Sequence, residues 1–176
     1  FKHHLAERGV RPYEASIELV RTLRAHELKT AVVSSSVNCA AVLEAVGIAH
    51  LFDERVDGTD IVRLGLKGKP APDAFLEAAR RLNVLPARAV VVEDAVAGVA
   101  AGRAGRFGSI IGVDRSAQSQ ALRDAGADVV VTSLGQVNVA AEPPAALEQH
   151  DEDEDQADGD VDDVDDGLQH GRCIIF

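Results

Sequence analysis

The feature that most constrains this chain is an alternation of short apolar runs with stretches of helical spacing. Thr30-Ala31-Val32-Val33, Ala89–Val92, Ser109–Val113 and Asp128–Thr132 are runs rich in β-branched residues, too short for core helices. Between them lie residues 15–28, with Ile17, Val20, Leu23 and Leu28 near helical spacing, and residues 38–46, closed by Gly47. A further helical stretch begins at Pro72-Asp73 and reaches about Leu82; the small-residue run AVAGVAAGRAG and residues 117–125 complete the set. Continuous apolar runs fit strands buried on both faces, and their alternation with helices predicts an α/β fold with a parallel sheet. LFDERVDG reads as one more short strand, followed by a loop to Lys69.

Ligands in such sheets bind beyond the carboxyl ends of the strands. The polar residues that follow each apolar run are therefore the candidates for chemistry. Glu93-Asp94 follows Ala89–Val92. Hard oxygen ligands at a strand end suit Mg²⁺, which takes one or two carboxylates and fills its shell with phosphate oxygens and water; the bland alternative is acids starting the next helix. Ser34-Ser35-Ser36-Val37-Asn38 follows Val33, and hydroxyls with free backbone N–H groups ahead of a helix form an anion site, or merely an N-cap. Lys69 lies in Gly68-Lys69-Pro70-Ala71-Pro72-Asp73, where two prolines stiffen the loop around an ammonium useful against charge on a transferring phosphoryl group.

Together AVVSSSVN, GKPAPDAFLEAA and VVVEDAVAGVAAGRAG resemble motifs two, three and four of the haloacid dehalogenase superfamily, and the β-phosphoglucomutase-like branch most of all; the resemblance covers about residues 1–135. It implies a Rossmann-like parallel sheet and Mg²⁺-dependent phosphoryl transfer, by a phosphatase or a phosphomutase, from a small sugar phosphate through an aspartyl-phosphate. Ser34 would hydrogen-bond the phosphoryl group, Lys69 would offset its charge, and Asp94 would bind Mg²⁺ with Glu93 as a direct or water-mediated partner. Ser36 and Asn38 match positions near the distal phosphate, while Gly98 and Gly102 would allow close packing of the helix after motif four. Residues 1–14 resemble the end of a helical cap and its return linker, and residues 15–140 an incomplete core whose first strand and most of whose cap are missing. The family's nucleophile sits in D-x-D after an apolar strand, a pattern that residues 1–140 lack; the D-x-D patterns at 151–155 and 158–160 have no strand before them. Glu14-Ala15 replaces an expected Gly, and Val37 stands where a basic residue is common.

The chain begins at Phe1 and has no Met, which reads as a fragment expected to be inactive by itself. Its net charge of −11 is uneven: residues 142–171 hold thirteen Asp and Glu and no Lys or Arg. They read as a disordered acidic linker, and no stretch matches a calcium-binding EF-hand loop. The remainder is close to neutral and has few aromatics, so nucleic acid is not an expected partner. No apolar run is long enough to span a membrane, and Cys39 and Cys173 form no C-x-x-C, so a reducing cytoplasm is the default. Residues 172–176 end in Cys-Ile-Ile-Phe, which fits a prenylation pattern without other support. They also resemble the apolar start of motif one, hence a following strand and a tandem phosphatase domain like that of some trehalose-phosphate phosphatases. Two non-enzymatic readings remain beside the enzyme: a degenerate domain that only binds or regulates, and a module whose acidic tail holds a basic partner.

Overall fold

A computed structural model describes residues 12–139 and 172–176. The expectations for residues 1–11 and 141–171 lie outside them. Six strands form one sheet: β1 Lys29–Val33, β2 Glu54–Val56, β3 Ala89–Glu93, β4 Ser109–Val113, β5 Val129–Val131 and β6 Cys173–Ile175. Their order is β2-β1-β6-β3-β4-β5, and every pairing is parallel. The helices are α1 Glu14–Ala25, α2 Cys39–Ala45, α3 Gly58–Leu64, α4 Asp73–Leu82, α5 Val96–Ala104 and α6 Ser119–Asp124. The fold is thus the expected α/β, Rossmann-like one.

Both faces of the central strands β1, β6, β3 and β4 are covered, which is why these read as apolar runs, whereas the edge strands β2 and β5 keep exposed residues. Side chains alternate along each strand. Ala31, Val33, Val91, Ile110, Cys173 and Ile175 pack with Phe75, Ala78, Ala79 and Leu82 of α4 and Val99 of α5. The intervening residues Val92, Val113 and Ile174 face Leu19 and Leu23 of α1. Helix α1 stops at Ala25, three residues short of the sequence expectation. Glu27 adopts φ 59° and the Leu28 amide bonds back to the Leu23 carbonyl, a left-handed closure that turns the chain into β1.

Helix α3 fills the stretch that reads as a loop. Asp57 caps it, accepting from Thr59 N at 2.9 Å and Asp60 N at 3.3 Å, and Asp60 Oδ2 accepts from Asp57 N at 3.4 Å. This is a capping box with Asp in the third position, closed by Gly65 at φ 64°. Its apolar residues are too few to betray it by period.

Strand β6 is the least expected feature. It lies between β1 and β3, with Cys173 level with Lys29 and Ala89, and Ile175 level with Ala31 and Val91. The Phe176 amide donates to Ala31 O at 2.9 Å and Val33 N donates to Phe176 O at 2.6 Å. The segment 172–176 is therefore a strand, and it pairs within this sheet. From β1 the chain steps outward to β2; from β3 it steps the other way through β4 to β5. The direction reverses at β6, and a crevice opens at such a switch point beyond the strands' carboxyl ends. Among the described residues no helix is long and apolar enough to cross a membrane.

Candidate functional site

That crevice is a cavity of about 390 Å³ lined by Ser34, Lys69, Glu93, Asp94, Arg115 and Phe176, among others. Four sequence-predicted residues thus meet at one rim, from three places far apart in the chain. Each arrives for a local reason. β1 carries Ser34 to the rim, where its amide donates to Val56 O at 3.0 Å. The chain then turns through two serine-closed turns: Ser36 N donates to Ser34 Oγ at 3.2 Å and Asn38 N to Ser36 Oγ at 3.1 Å. Ser36 and Asn38 spend these groups on shaping the loop, and neither lines the cavity.

Gly58 supports that loop from below. A Cβ there would lie 2.5 Å from Ser35 O and 2.7 Å from Val37 N, both backbone atoms. Sequence reasoning passed over Gly58; its only signal was an Asp-Gly following a short strand.

Lys69 follows α3 and precedes α4, and its peptide bond to Pro70 is cis. Its ammonium lies 2.5 Å from Glu93 Oε2 and 4.7 Å from the centroid of the Phe75 ring. The pair is well buried, with side-chain exposures of 17% for Lys69 and 9% for Glu93. Glu93 Oε1 accepts from the amides of Asp94 and Ala95 at 3.2 and 3.0 Å. Both oxygens of Glu93 are therefore engaged, and its role here is to fix Lys69 and the turn that presents Asp94.

Asp94 is different. Its side chain is 53% exposed and meets only the edge of a cation, Arg115 Nε at 3.2 Å. Gln118 Nε2 donates to its backbone carbonyl at 3.0 Å. Arg115 also stacks its guanidinium 3.8 Å from the ring centroid of Tyr13. Arg115 and Tyr13 were not singled out from sequence, because nothing in their spacing links residues a hundred positions apart.

The glycines of α5 have distinct tasks. A Cβ on Gly98 would lie 2.2 Å from Glu93 Cδ, so this glycine makes room for the carboxylate that holds Lys69. At Gly102 the nearest atoms, Ile110 Cγ1 at 3.3 Å and Val91 Cβ at 3.4 Å, reflect the close helix packing expected of it.

Among the described residues no cluster of three or more His, Cys, Asp or Glu could hold a metal by itself. A divalent ion that takes most of its shell from phosphate and water needs no such cluster. The half-exposed carboxylate of Asp94 fits a hard cation of that kind, and the fully engaged Glu93 fits as a support beside it.

A family model of haloacid dehalogenase-like hydrolases matches residues 3–106. The chain is 44% identical over 136 residues to a beta-phosphoglucomutase from Mycobacterium bovis, an alignment that takes in 76% of this chain and 52% of that protein. It thus spans about half the length of that relative. A trehalose-phosphate phosphatase from Mycobacterium leprae is 38% identical over 132 residues, covering 73% of this chain and 29% of the relative. Among solved structures, a HAD family hydrolase from Deinococcus radiodurans R1 with bound phosphate and sodium is 34% identical with a TM-score of 0.61, covering 69% of this chain and 55% of that one.

Proposed function

We propose that this chain, which belongs to the haloacid dehalogenase-like hydrolases, carries the phosphoryl-gripping half of a Mg²⁺-dependent phosphatase or phosphomutase for a small sugar phosphate. The observation that carries the reading is the convergence of Ser34, Lys69, Glu93 and Asp94 on one cavity at the sheet's switch point. The sugar phosphate is supported by relatives named for β-phosphoglucomutase and trehalose-phosphate phosphatase activity.

In this reading Ser34 donates its hydroxyl to a phosphoryl oxygen. Lys69, held by Glu93, meets the charge that gathers on the same group as it transfers; a preorganised ammonium in a partly desolvated site is worth far more than one in water. Asp94 would hold Mg²⁺, which supplies neutralisation and orientation of the phosphoryl oxygens. Among the described residues no D-x-D follows a strand, so the aspartate that attacks and forms the aspartyl-phosphate comes from outside them. Dividing the transfer into two displacements replaces one hard step by two easier ones. Water then completes a phosphatase, and a sugar hydroxyl a mutase. The two buried free thiols fit a reducing compartment such as the cytoplasm.

The chain by itself should therefore bind inorganic phosphate with Mg²⁺ and turn over no ester. Binding is read by calorimetry on the full chain and on Lys69→Ala, which should lose it; turnover is read with p-nitrophenyl phosphate. Turnover that disappears in Asp94→Ala would show that the attacking group is already present and sink the proposal. The alternative, a degenerate domain that only binds a phosphorylated metabolite, is favoured if no D-x-D-x-T/V motif is encoded within about a hundred codons upstream.

A further inference from the structure

The charged lining of the cavity consists of two cations and two carboxylates, paired as Lys69 with Glu93 and Arg115 with Asp94. The two pairs are built differently. Lys69 and Glu93 are well buried, and two backbone amides hold Glu93 as well. The Arg115 side chain is 30% exposed, that of Asp94 more so, and one contact of 3.2 Å from Nε to Oδ2 joins them. Ion pairs open to solvent are worth little, so this second pair exchanges partners at small cost. The first does not, because parting it strands buried charge.

Arg115 also has unused capacity. A guanidinium carries five N–H donors in a planar fork. Here Nε serves Asp94 and the face lies over the Tyr13 ring. Among the described residues the two terminal amino groups of Arg115 meet no acceptor. The backbone beneath it is fixed. Asp114 accepts from Ser116 N at 3.1 Å, from Gln118 N at 2.9 Å and from the Ser119 hydroxyl. Gln118 Nε2 ties the same turn to the Asp94 carbonyl at 3.0 Å. A pinned turn after β4 thus holds Arg115 at the rim, on a long side chain restrained by one open ion pair and one exposed ring.

We propose that Arg115 is a phosphate-binding residue with two alternative partners: the Asp94 carboxylate before a cation binds there, and the oxygens of a bound phosphoryl group afterwards. The proposal rests on the phosphate reading above and adds a residue and a coupling to it. A planar fork of donors matches two oxygens of one phosphate. A bare Asp94 carboxylate competes with phosphate for that fork and repels the dianion besides. A divalent ion on Asp94 ends both effects and leaves the guanidinium to the phosphate. Cation and phosphate then assist each other, and linkage makes the assistance reciprocal.

Asp94→Asn loosens the hold on Arg115 without any metal, so the first test needs none. Inorganic phosphate is titrated by calorimetry into the full chain, Asp94→Asn, Arg115→Ala and the double variant, all metal-free. Asp94→Asn should bind phosphate about tenfold more tightly than the unsubstituted chain. Made on top of Arg115→Ala, the same change should gain no more than about threefold, the share owed to lost repulsion. Equal gains in both backgrounds would mean that repulsion acts alone, and would overturn the proposal. With saturating Mg²⁺, Arg115→Ala should bind phosphate about tenfold more weakly than the unsubstituted chain. Arg115→Lys, which keeps the charge and loses the fork, should recover only part of that loss. Unaltered phosphate affinity in Arg115→Ala at an unaltered urea midpoint would overturn the proposal as well. Lys69→Ala separates it from the functional reading. If that variant loses phosphate and Arg115→Ala keeps it, the phosphoryl site stands and Arg115 has no part in it. If Lys69→Ala binds phosphate as the unsubstituted chain does, the functional reading itself fails, and this proposal with it.

Discussion

Glu93 occupies the space that a side chain on Gly98 would need. An added Cβ would lie 2.2 Å from Glu93 Cδ and 2.3 Å from its Oε2. The carboxylate cannot easily yield, because Lys69 and two backbone amides hold it. Gly98→Ala should therefore destabilise the chain by about 1–3 kcal/mol, the usual cost of overpacking. It should also weaken phosphate binding by displacing Lys69. Urea unfolding gives the first quantity and calorimetry the second; an unchanged urea midpoint would show that α5 shifts freely.

The Lys69–Glu93 pair itself is open to a double-mutant cycle. Removing one partner leaves a buried charge unpaired, so Lys69→Met and Glu93→Leu should each cost about 3 kcal/mol in urea unfolding. The double variant should cost clearly less than their sum, because neither charge is then stranded. Additive losses would mean that solvent already screens the pair.

Much of this arrangement was legible in the sequence because its central strands are buried on both faces. Unbroken runs such as Ala89–Val92 mark central parallel strands, and the polar residues after them mark the rim, so Ser34, Glu93 and Asp94 could be named before any coordinates; Lys69 follows no strand, and its proline-flanked loop joined them through the family resemblance. Other features left no such trace. Helix α3 is held by Asp57 and Asp60 and carries no clear apolar stripe. The cation at Asp94 comes from Arg115, which no local pattern joins to it. The strand character of residues 172–176 was legible as an apolar run, but they read as the start of a following strand, and periodicity is silent on their pairing between β1 and β3.

Gly58 makes a sharper test of the serine loop than the serines do. A Cβ there meets backbone, Ser35 O at 2.5 Å and Val37 N at 2.7 Å, so the loop must move. Gly58→Ala should lower phosphate affinity about tenfold, some 1.4 kcal/mol. Ser36→Ala, which removes one turn-closing bond outside the cavity, should lower it less. If Gly58→Ala binds phosphate normally, the loop is not part of the site.

The outer edge of the sheet should set the acid limit of stability. Arg81 Nη2 lies 3.0 Å from Asp60 Oδ1 and Arg81 Nε 2.7 Å from Glu77 Oε1, tying α4 to α3. The Arg81 guanidinium holds the Asp60 carboxyl well below the usual range, and Arg80, then Arg81, bring Glu77 down to about 2. Both folded values lie below the unfolded ones of about 3.9 and 4.3. Their contribution is therefore complete at neutral pH, begins to fall as pH drops through about 4, and is gone once both protonate in the folded state. Urea midpoints measured from pH 7 to pH 2.5 should decline over that window, and Asp60→Asn should be less stable at pH 7 and decline less steeply.

Arg115 is the group that a metal at Asp94 must displace. Its guanidinium stands between the Asp94 carboxylate, at 3.2 Å, and the ring of Tyr13, at 3.8 Å. A cation arriving at Asp94 repels it and takes over its partner, so the arginine contact is a competitor for the ion. Arg115→Ala should accordingly bind Mg²⁺, or Mn²⁺ as its paramagnetic substitute, several-fold more tightly. Tyr13 is the sole tyrosine and the chain has no tryptophan, so its emission reports directly on the stacked guanidinium. Adding Mg²⁺ to the unsubstituted chain should shift Tyr13 emission toward that of Arg115→Ala, and the same addition to Asp94→Asn should leave it unchanged. A metal response in Tyr13 that survives Asp94→Asn would locate the ion elsewhere, and with it the centre of the proposed chemistry.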